Sequence, residues 1–157
     1  MAAKPEKLFI YGKHAVAEAL REKPECVRRV YFAPEFVDDS LRELTKKTGI
    51  SASVFSGKAL EHAVDPDASH QGVFAEISLE GLVVPYEKYA EALEATPGTA
   101  LVLLNELQDP HNVGAIIRSA AAFGIRGILV PAHNQAPITG TVVKVSAGMA
   151  FRVPLVS

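Results

Sequence analysis

Residues 101–124 constrain the fold more than any other stretch. They read Leu101-Val102-Leu103-Leu104-Asn105-Glu106-Leu107-Gln108-Asp109-Pro110-His111-Asn112-Val113-Gly114-Ala115-Ile116-Ile117-Arg118-Ser119-Ala120-Ala121-Ala122-Phe123-Gly124. The apolar run before Asn105 predicts a buried strand of a parallel sheet. Pro110 fixes its own φ and biases Asp109 away from helix, so a turn follows. Asn112 is then expected to cap a helix that runs to Phe123 and stops at Gly124. A strand, a polar loop and a helix in that order put the loop at the strand's C-terminal end, where open α/β sheets hold ligands.

This helix is narrow, because Gly114, Ala115, Ser119, Ala120, Ala121 and Ala122 carry little bulk. Gly114 and Arg118 are four apart and share a face, with His111 a turn back on the loop side. Arg118 is expected to extend from this thin helix toward the loop that holds Asn112. A planar, permanently charged guanidinium suits a phosphate or a developing oxyanion. The ordinary alternative is an internal pair with Glu106 or Asp109.

Helical and extended signals alternate along the rest of the chain, the pattern of an α/β protein. A helix is expected over 15–21, with Val16, Ala19 and Leu20 on one side, ending near Pro24. A strand follows over Val27–Phe32. A second helix is capped from Asp38-Asp39-Ser40 and stopped at Gly49. Then come a short strand over 52–55, a helix over 57–63, a loop over 65–69 and a strand over 72–79. Tyr86, Tyr89, Ala90 and Leu93 have helical spacing within 85–95, and Thr96-Pro97-Gly98 breaks the pattern. The expected organisation is a unit over 1–79, a linker over 80–98 with an amphipathic helix, and a second unit over 99–157. That last unit holds a strand over 127–130, a polar loop over 131–141 with His133, Asn134 and Gln135, a helix end over 144–148 and a closing strand.

Composition narrows the function classes. The 157 residues, 48% hydrophobic and 22% charged, suit one ordinary folded domain or two small ones. No apolar run is long enough to span a bilayer, and the Leu8-Phe9-Ile10-Tyr11 run is too short for a signal-peptide core. A cytoplasmic protein without a membrane partner is the expectation. The single cysteine, Cys26, excludes an intramolecular disulfide and a cysteine-rich zinc site, and is expected to be buried and structural. His14, His62, His70, His111 and His133 include no i, i+4 pair, so no metal is expected. Dinucleotide, phosphate-loop and serine-hydrolase motifs are absent. The formal charge of −2 excludes a uniformly basic nucleic-acid coat but permits a local patch. Arg28-Arg29, and Arg42 with Lys46-Lys47, are such clusters, and the first reading of each is a solvated face.

Asp109-Pro110-His111-Asn112-Val113-Gly114-Ala115-Ile116-Ile117-Arg118-Ser119-Ala120, with Phe123-Gly124, resembles the first motif of the SpoU (TrmH-like) RNA 2′-O-ribose methyltransferases. Tyr11-Gly12-Lys13-His14-Ala15-Val16, Glu18-Ala19-Leu20 and His70-Gln71-Gly72-Val73 resemble the small RNA-binding domain that precedes the catalytic domain in many members. Lys144-Val145-Ser146-Ala147-Gly148 and Val153-Pro154 resemble the stretch after the first motif. The resemblance covers nearly the whole chain. It implies an α/β fold: a small ribosomal-protein-like α/β RNA-binding domain, then the N-terminal part of an α/β-knot methyltransferase domain without the knot itself.

The implied chemistry is transfer of a methyl group from S-adenosylmethionine to a ribose 2′-hydroxyl of rRNA or tRNA. By the same resemblance Arg118 is the catalytic arginine and Asn112 orients the reacting groups. Glu106, Asp109 and Gly114 hold supporting positions, and Arg28, Arg29, Lys13 and Lys46 are the expected RNA contacts. Arginine stays protonated, so a stabiliser of the 2′-oxyanion, or a partner of an RNA phosphate that takes the proton, suits Arg118 better than a base. The family's later motifs, a Gly-x-Glu-like segment and an Asn-rich, Ser-containing segment, are absent here. In the family these form the knot that holds the cofactor and supports a homodimer. The expectation is therefore a chain with an incomplete cofactor pocket, inactive alone, within a dimeric complete protein. The competing expectations are a non-catalytic RNA-binding module and, more weakly, a small-molecule-binding α/β domain.

Overall fold

A computed structural model describes residues 8–55 and 71–157, which divide between Leu79 and Glu80 into two compact units. The expected helix over 57–63 and loop over 65–69 lie outside the described residues.

The first unit begins with β1 (Leu8–Tyr11), α1 (Lys13–Glu22) and a short 3-10 turn, Pro24–Cys26. It continues through β2 (Val27–Phe32), α2 (Asp39–Lys47), β3 (Ala52–Val54) and β4 (Val73–Ile77). The sheet order is β1-β4-β2-β3, with β4 antiparallel to both neighbours and β2 parallel to β3. The apolar stripe of α1 behaves as its spacing predicts: Ala15, Val16, Ala19 and Leu20 are buried. They form a core with Ile10, Val30, Val73, Ala75 and Ile77. The Asp38 carboxylate caps α2 by accepting from Leu41 N at 3.1 Å. Its hydrogen bonds from the Ser40 hydroxyl and then the Leu41 amide, more than its ion pair with Lys13, hold it below the usual carboxylate range. Cys26 is fully buried, and that burial pushes its thiol up to about 11.

The β2 strand departs from strict alternation. Its register against β4 shifts between Val27 and Arg29, and Arg28 and Arg29 are both exposed. A bulge supplies one extra residue, so two consecutive arginines escape the core.

The second unit contains α3 (Leu79–Leu82), β5 (Val83–Val84), α4 (Tyr86–Ala92), β6 (Leu101–Leu103) and α5 (Pro110–Ala122). It continues with β7 (Gly127–Leu129), α6 (Gly140–Val145), a 3-10 turn over Met149–Phe151 and β8 (Leu155–Val156). All its strands are parallel, in the order β5-β8-β7-β6. Its core includes Leu82, Leu104, Val113, Ile117, Ile128, Val142, Val143, Phe151 and Leu155.

Four expectations are corrected here. Residues 83–92 are not a linker, because β5 pairs with β8 and so belongs to the second sheet. The amphipathic helix α4 ends at Ala92 and buries Tyr89, whereas Tyr86 and Ala90 are exposed. The β6 strand is an edge strand, not a buried one: Leu101 and Leu103 are 42% and 64% exposed, and Leu104 after them is buried. The chain crosses from β6 to β7 and then to β8 on the far side, so no described strand pairs with β6's outer edge. Finally, α5 starts at Pro110 with Asp109 as its cap, accepting from His111 N at 2.8 Å. Proline suits the first helical position, where its missing N–H would have had no partner. Asn112 therefore lies inside the helix and does not cap it.

Candidate functional site

The packing of α5 against α6 depends on Gly114. A Cβ there would come within 2.7 Å of Val145 Cβ and 2.9 Å of the Val142 carbonyl oxygen. Only glycine allows this approach. One turn on, Arg118 is exposed beside the segment that follows α6.

Arg118 lines a groove of about 920 Å³ within the second unit, with Arg126, Arg152, Tyr89, Ala121 and Ala122 among its walls. No Asp or Glu among the described residues lines it. Among the described residues the Arg118 guanidinium has no hydrogen bond or ion pair, so the alternative of an internal pair with Glu106 or Asp109 does not hold. Tyr89 braces one wall. Its hydroxyl donates to the Arg126 carbonyl oxygen at 2.9 Å, and a Cβ on Gly127 would overlap the phenol. Burial raises the Tyr89 pKa, partly offset by the nearby Arg126 charge.

The two loops at the C-terminal ends of β6 and β7 form a second polar region. Leu107 N donates to Gln135 Oε1 at 3.1 Å, Gln108 Nε2 to the Asn134 carbonyl at 2.7 Å, and Ala136 N to the Leu107 carbonyl at 2.7 Å. Glu106 and Asn134 hold left-handed φ values of 54° and 52°, conformations that cost free energy in a non-glycine residue. The Gln135 Nε2 atom is buried without a hydrogen-bond partner.

These regions are distinct. The groove's walls include Ile125 and Arg126 before β7 and Val153 and Pro154 before β8, at the N-terminal ends of the strands. Asn112 and Glu106 are exposed and outside the groove lining. Asn112 and Arg118 are six residues apart, which is roughly 9 Å along the helix and about 120° around it. Arg118 therefore does not share one cavity with Asn112.

The expected RNA-contacting cations are likewise not gathered into one patch. Lys13 forms an ion pair with Asp38 at 3.3 Å and lies over the Phe36 ring. Arg28 donates to the Ser78 hydroxyl at 3.2 Å. Arg29 is exposed in register with Glu76. Lys46 is exposed on α2. Arg42, part of the same sequence cluster, stacks on Phe32 and donates to the Phe36 carbonyl, so it is structural. Phe32 faces α2, so strand alternation puts Arg29 on the opposite face of the sheet.

Sequence reasoning missed Arg126 and Arg152. No spacing links them to Arg118, because they meet only in three dimensions. One available signal was that residues 80–157 contain just five Lys or Arg, three of them arginine. No cluster of metal-ligating side chains occurs among the described residues.

A model of the SpoU rRNA Methylase family matches residues 99–157. A model of the RNA 2′-O ribose methyltransferase substrate-binding domain matches residues 9–80. The chain is 34% identical over 150 residues to the 23S rRNA (guanosine-2′-O-)-methyltransferase RlmB of Shewanella oneidensis, covering 94% of this chain and 60% of that protein. It is 32% identical over 150 residues to the putative TrmH family tRNA/rRNA methyltransferase YacO of Bacillus subtilis, covering 94% and 59%. The chain thus spans about three fifths of the length of these curated relatives. In fold it is similar to the SpoU methyltransferase AviRb from Streptomyces viridochromogenes in complex with AdoMet. That match has a TM-score of 0.73 and 21% identity, and covers 96% of this chain and 54% of that one. An AdoMet-bound rRNA methyltransferase from Sinorhizobium meliloti matches with a TM-score of 0.71 and 21% identity, over 96% and 53%. Two family models together account for both units, and the relatives are matched across nearly the whole chain: throughout its length the chain is similar to the SpoU RNA methyltransferases.

Proposed function

We propose that this sequence supplies the RNA-recognition unit and the catalytic arginine of an enzyme that methylates a ribose 2′-hydroxyl in ribosomal or transfer RNA. The observation that carries this reading is the Arg118 guanidinium, exposed in a groove whose described walls carry no carboxylate. Relatives named as 23S rRNA guanosine methyltransferases favour a ribosomal substrate. A homodimeric, cytoplasmic protein belongs to the same reading, on the family resemblance alone.

S-adenosylmethionine, when bound, supplies an electrophilic methyl group. The groove does not fit that cofactor: the exposed Arg118 guanidinium, with Arg126 among the same walls, opposes a sulfonium cation. The orphan Gln135 donor in the loops at the strands' C-terminal ends fits a hydrogen-bond acceptor on it. The groove instead suits the anionic partner. The 2′-oxygen gains negative character as its proton leaves, and a fixed cation aimed at it lowers the barrier without having to reorganise. Arg118 acts there as the oxyanion stabiliser, or holds the phosphate that takes the proton. Asn112 orients a strand long enough to cross the roughly 9 Å between them.

The test is Arg118→Ala in a full-length protein carrying this sequence. Methylation should fall at least about a hundredfold, the scale of losing one oxyanion donor, with RNA affinity mostly retained. A non-catalytic RNA-binding module would show no methylation even before the substitution.

A further inference from the structure

We infer that Asn105 and Asn134 read the edge of an RNA base, at or beside the nucleotide whose ribose is methylated. This rests on the RNA-methyltransferase reading and adds to it two specificity-determining residues outside the recognised motif.

Three observations carry it. The first is how the chain spends its carboxamides. It has only six Asn and Gln residues, and five of them, Asn105, Gln108, Asn112, Asn134 and Gln135, fall in the loops after β6 and β7 and in the first turn of α5. Two of the five hold the loops together: Gln135 Oε1 accepts from Leu107 N at 3.1 Å, and Gln108 Nε2 donates to the Asn134 carbonyl at 2.7 Å. Asn105 and Asn134 are exposed, and their carboxamides make no hydrogen bond among the described residues.

The second observation is that the cluster is not satisfied by its own members. The Gln135 Nε2 donor is buried without a partner. Buried polar groups are nearly always paired, so this one marks a place that a hydrogen-bonding ligand completes. Open parallel sheets hold ligands at this end of their strands.

The third is charge. Residues 105–112 and 131–137 contain no Lys or Arg, and they carry Glu106 and Asp109. A phosphate meets like charge there, so the part of an RNA that suits these loops is uncharged. A carboxamide presents donors and an acceptor side by side, which complements the mixed donor and acceptor edge of a base. Unpaired RNA bases are read through such edges once they leave the stack. Asn112, in the same cluster, is roughly 9 Å along α5 from Arg118, so a strand whose ribose meets Arg118 brings a base to these loops.

The experiment uses a full-length protein carrying this sequence and an unmodified 23S rRNA transcript. Primer extension locates the methylated nucleotide. Transcripts with each other base at that nucleotide and at either neighbour are then compared by kcat/KM. The parent should prefer the original base by about tenfold or more at one of these positions, the scale of one good base contact. Asn105→Ala and Asn134→Ala should each narrow that ratio to a few-fold. Asn134→Asp, equal in shape but accepting only, should shift the preference toward bases that present an amino group. A ratio measured within one variant does not depend on how much of it is folded, so lost stability cannot mimic the effect. If the parent methylates but accepts every base equally, or if both alanine variants keep its full ratio, the base reading is wrong and the methyltransferase reading stands. If the parent methylates no transcript, both fall together.

Discussion

Replacing Gly114 with alanine probes the contact on which the groove's wall depends. Alanine is favoured over glycine in a helix interior by about 1 kcal/mol, so a helix free of neighbours would gain stability. Here the new methyl meets Val145 Cβ at 2.7 Å, the Val142 carbonyl oxygen at 2.9 Å and Val145 Cγ1 at 2.9 Å. The first two cannot rotate away, so α6 itself must retreat. Overpacking of this kind costs about 1–3 kcal/mol, and the immobile neighbours place it at the upper end. The balance is a destabilisation of about 2 kcal/mol, which for a unit of this size lowers the melting midpoint by about 10 °C. Differential scanning calorimetry should show that loss in the transition of the second unit. Gly98→Ala is the control, since nothing lies within 4 Å of its added Cβ; its midpoint should hold or rise slightly. Val145→Ala in the Gly114→Ala background relieves only the Cγ1 contact of the three, so it should restore part of the loss. A Gly114→Ala protein as stable as the parent would refute the close approach of α5 to α6.

Other outcomes follow from the same contacts. Tyr89→Phe removes the hydrogen bond to the Arg126 carbonyl and should cost about 1 kcal/mol in chemical denaturation; no change would mean that the bond does not form in solution. Asp109→Ala removes the cap of α5 and should cost about 1 kcal/mol, whereas Asn112→Ala should change stability by less than about 0.5 kcal/mol; the reverse order would restore Asn112 as the cap. Burial favours the neutral Cys26 thiol, with its pKa raised from 9.0 to about 11. At pH 8 the native thiolate fraction is therefore about a hundredfold below that of the unfolded chain. Iodoacetamide should alkylate the native protein at least that much more slowly than the urea-unfolded one, and comparable rates would contradict the burial.

Local signals were legible where the chain decides its own conformation. The Asp38 cap and the extent of β2 depend on residues within one turn or one strand, and both appear in the fold. Family motifs made the match to SpoU enzymes legible as well. What the sequence hid was settled by neighbours. The apolar run of β6 looks buried, but burial in a parallel sheet needs a strand on each side, and sheet order is not written in the run. Proline before Asn112 suggested a turn, yet proline is equally suited to open a helix, and Asp109 had the carboxylate to cap it. Lys13 looked like a free cation until folding brought Asp38 beside it. The arginine groove joins residues 118, 126 and 152 by tertiary packing alone.

The central claim is that a fixed positive charge at position 118 stabilises a developing sugar oxyanion. The most direct measurement is single-turnover methylation of saturating RNA by a full-length protein carrying this sequence, comparing Arg118 with Arg118→Lys and Arg118→Ala. The account predicts a loss of at least about a hundredfold in the methylation rate for alanine, a partial loss for lysine because it keeps charge without the planar fork, and RNA affinity within a few-fold of the parent. An alanine variant that methylates at the parent rate, with RNA bound equally well, would contradict it.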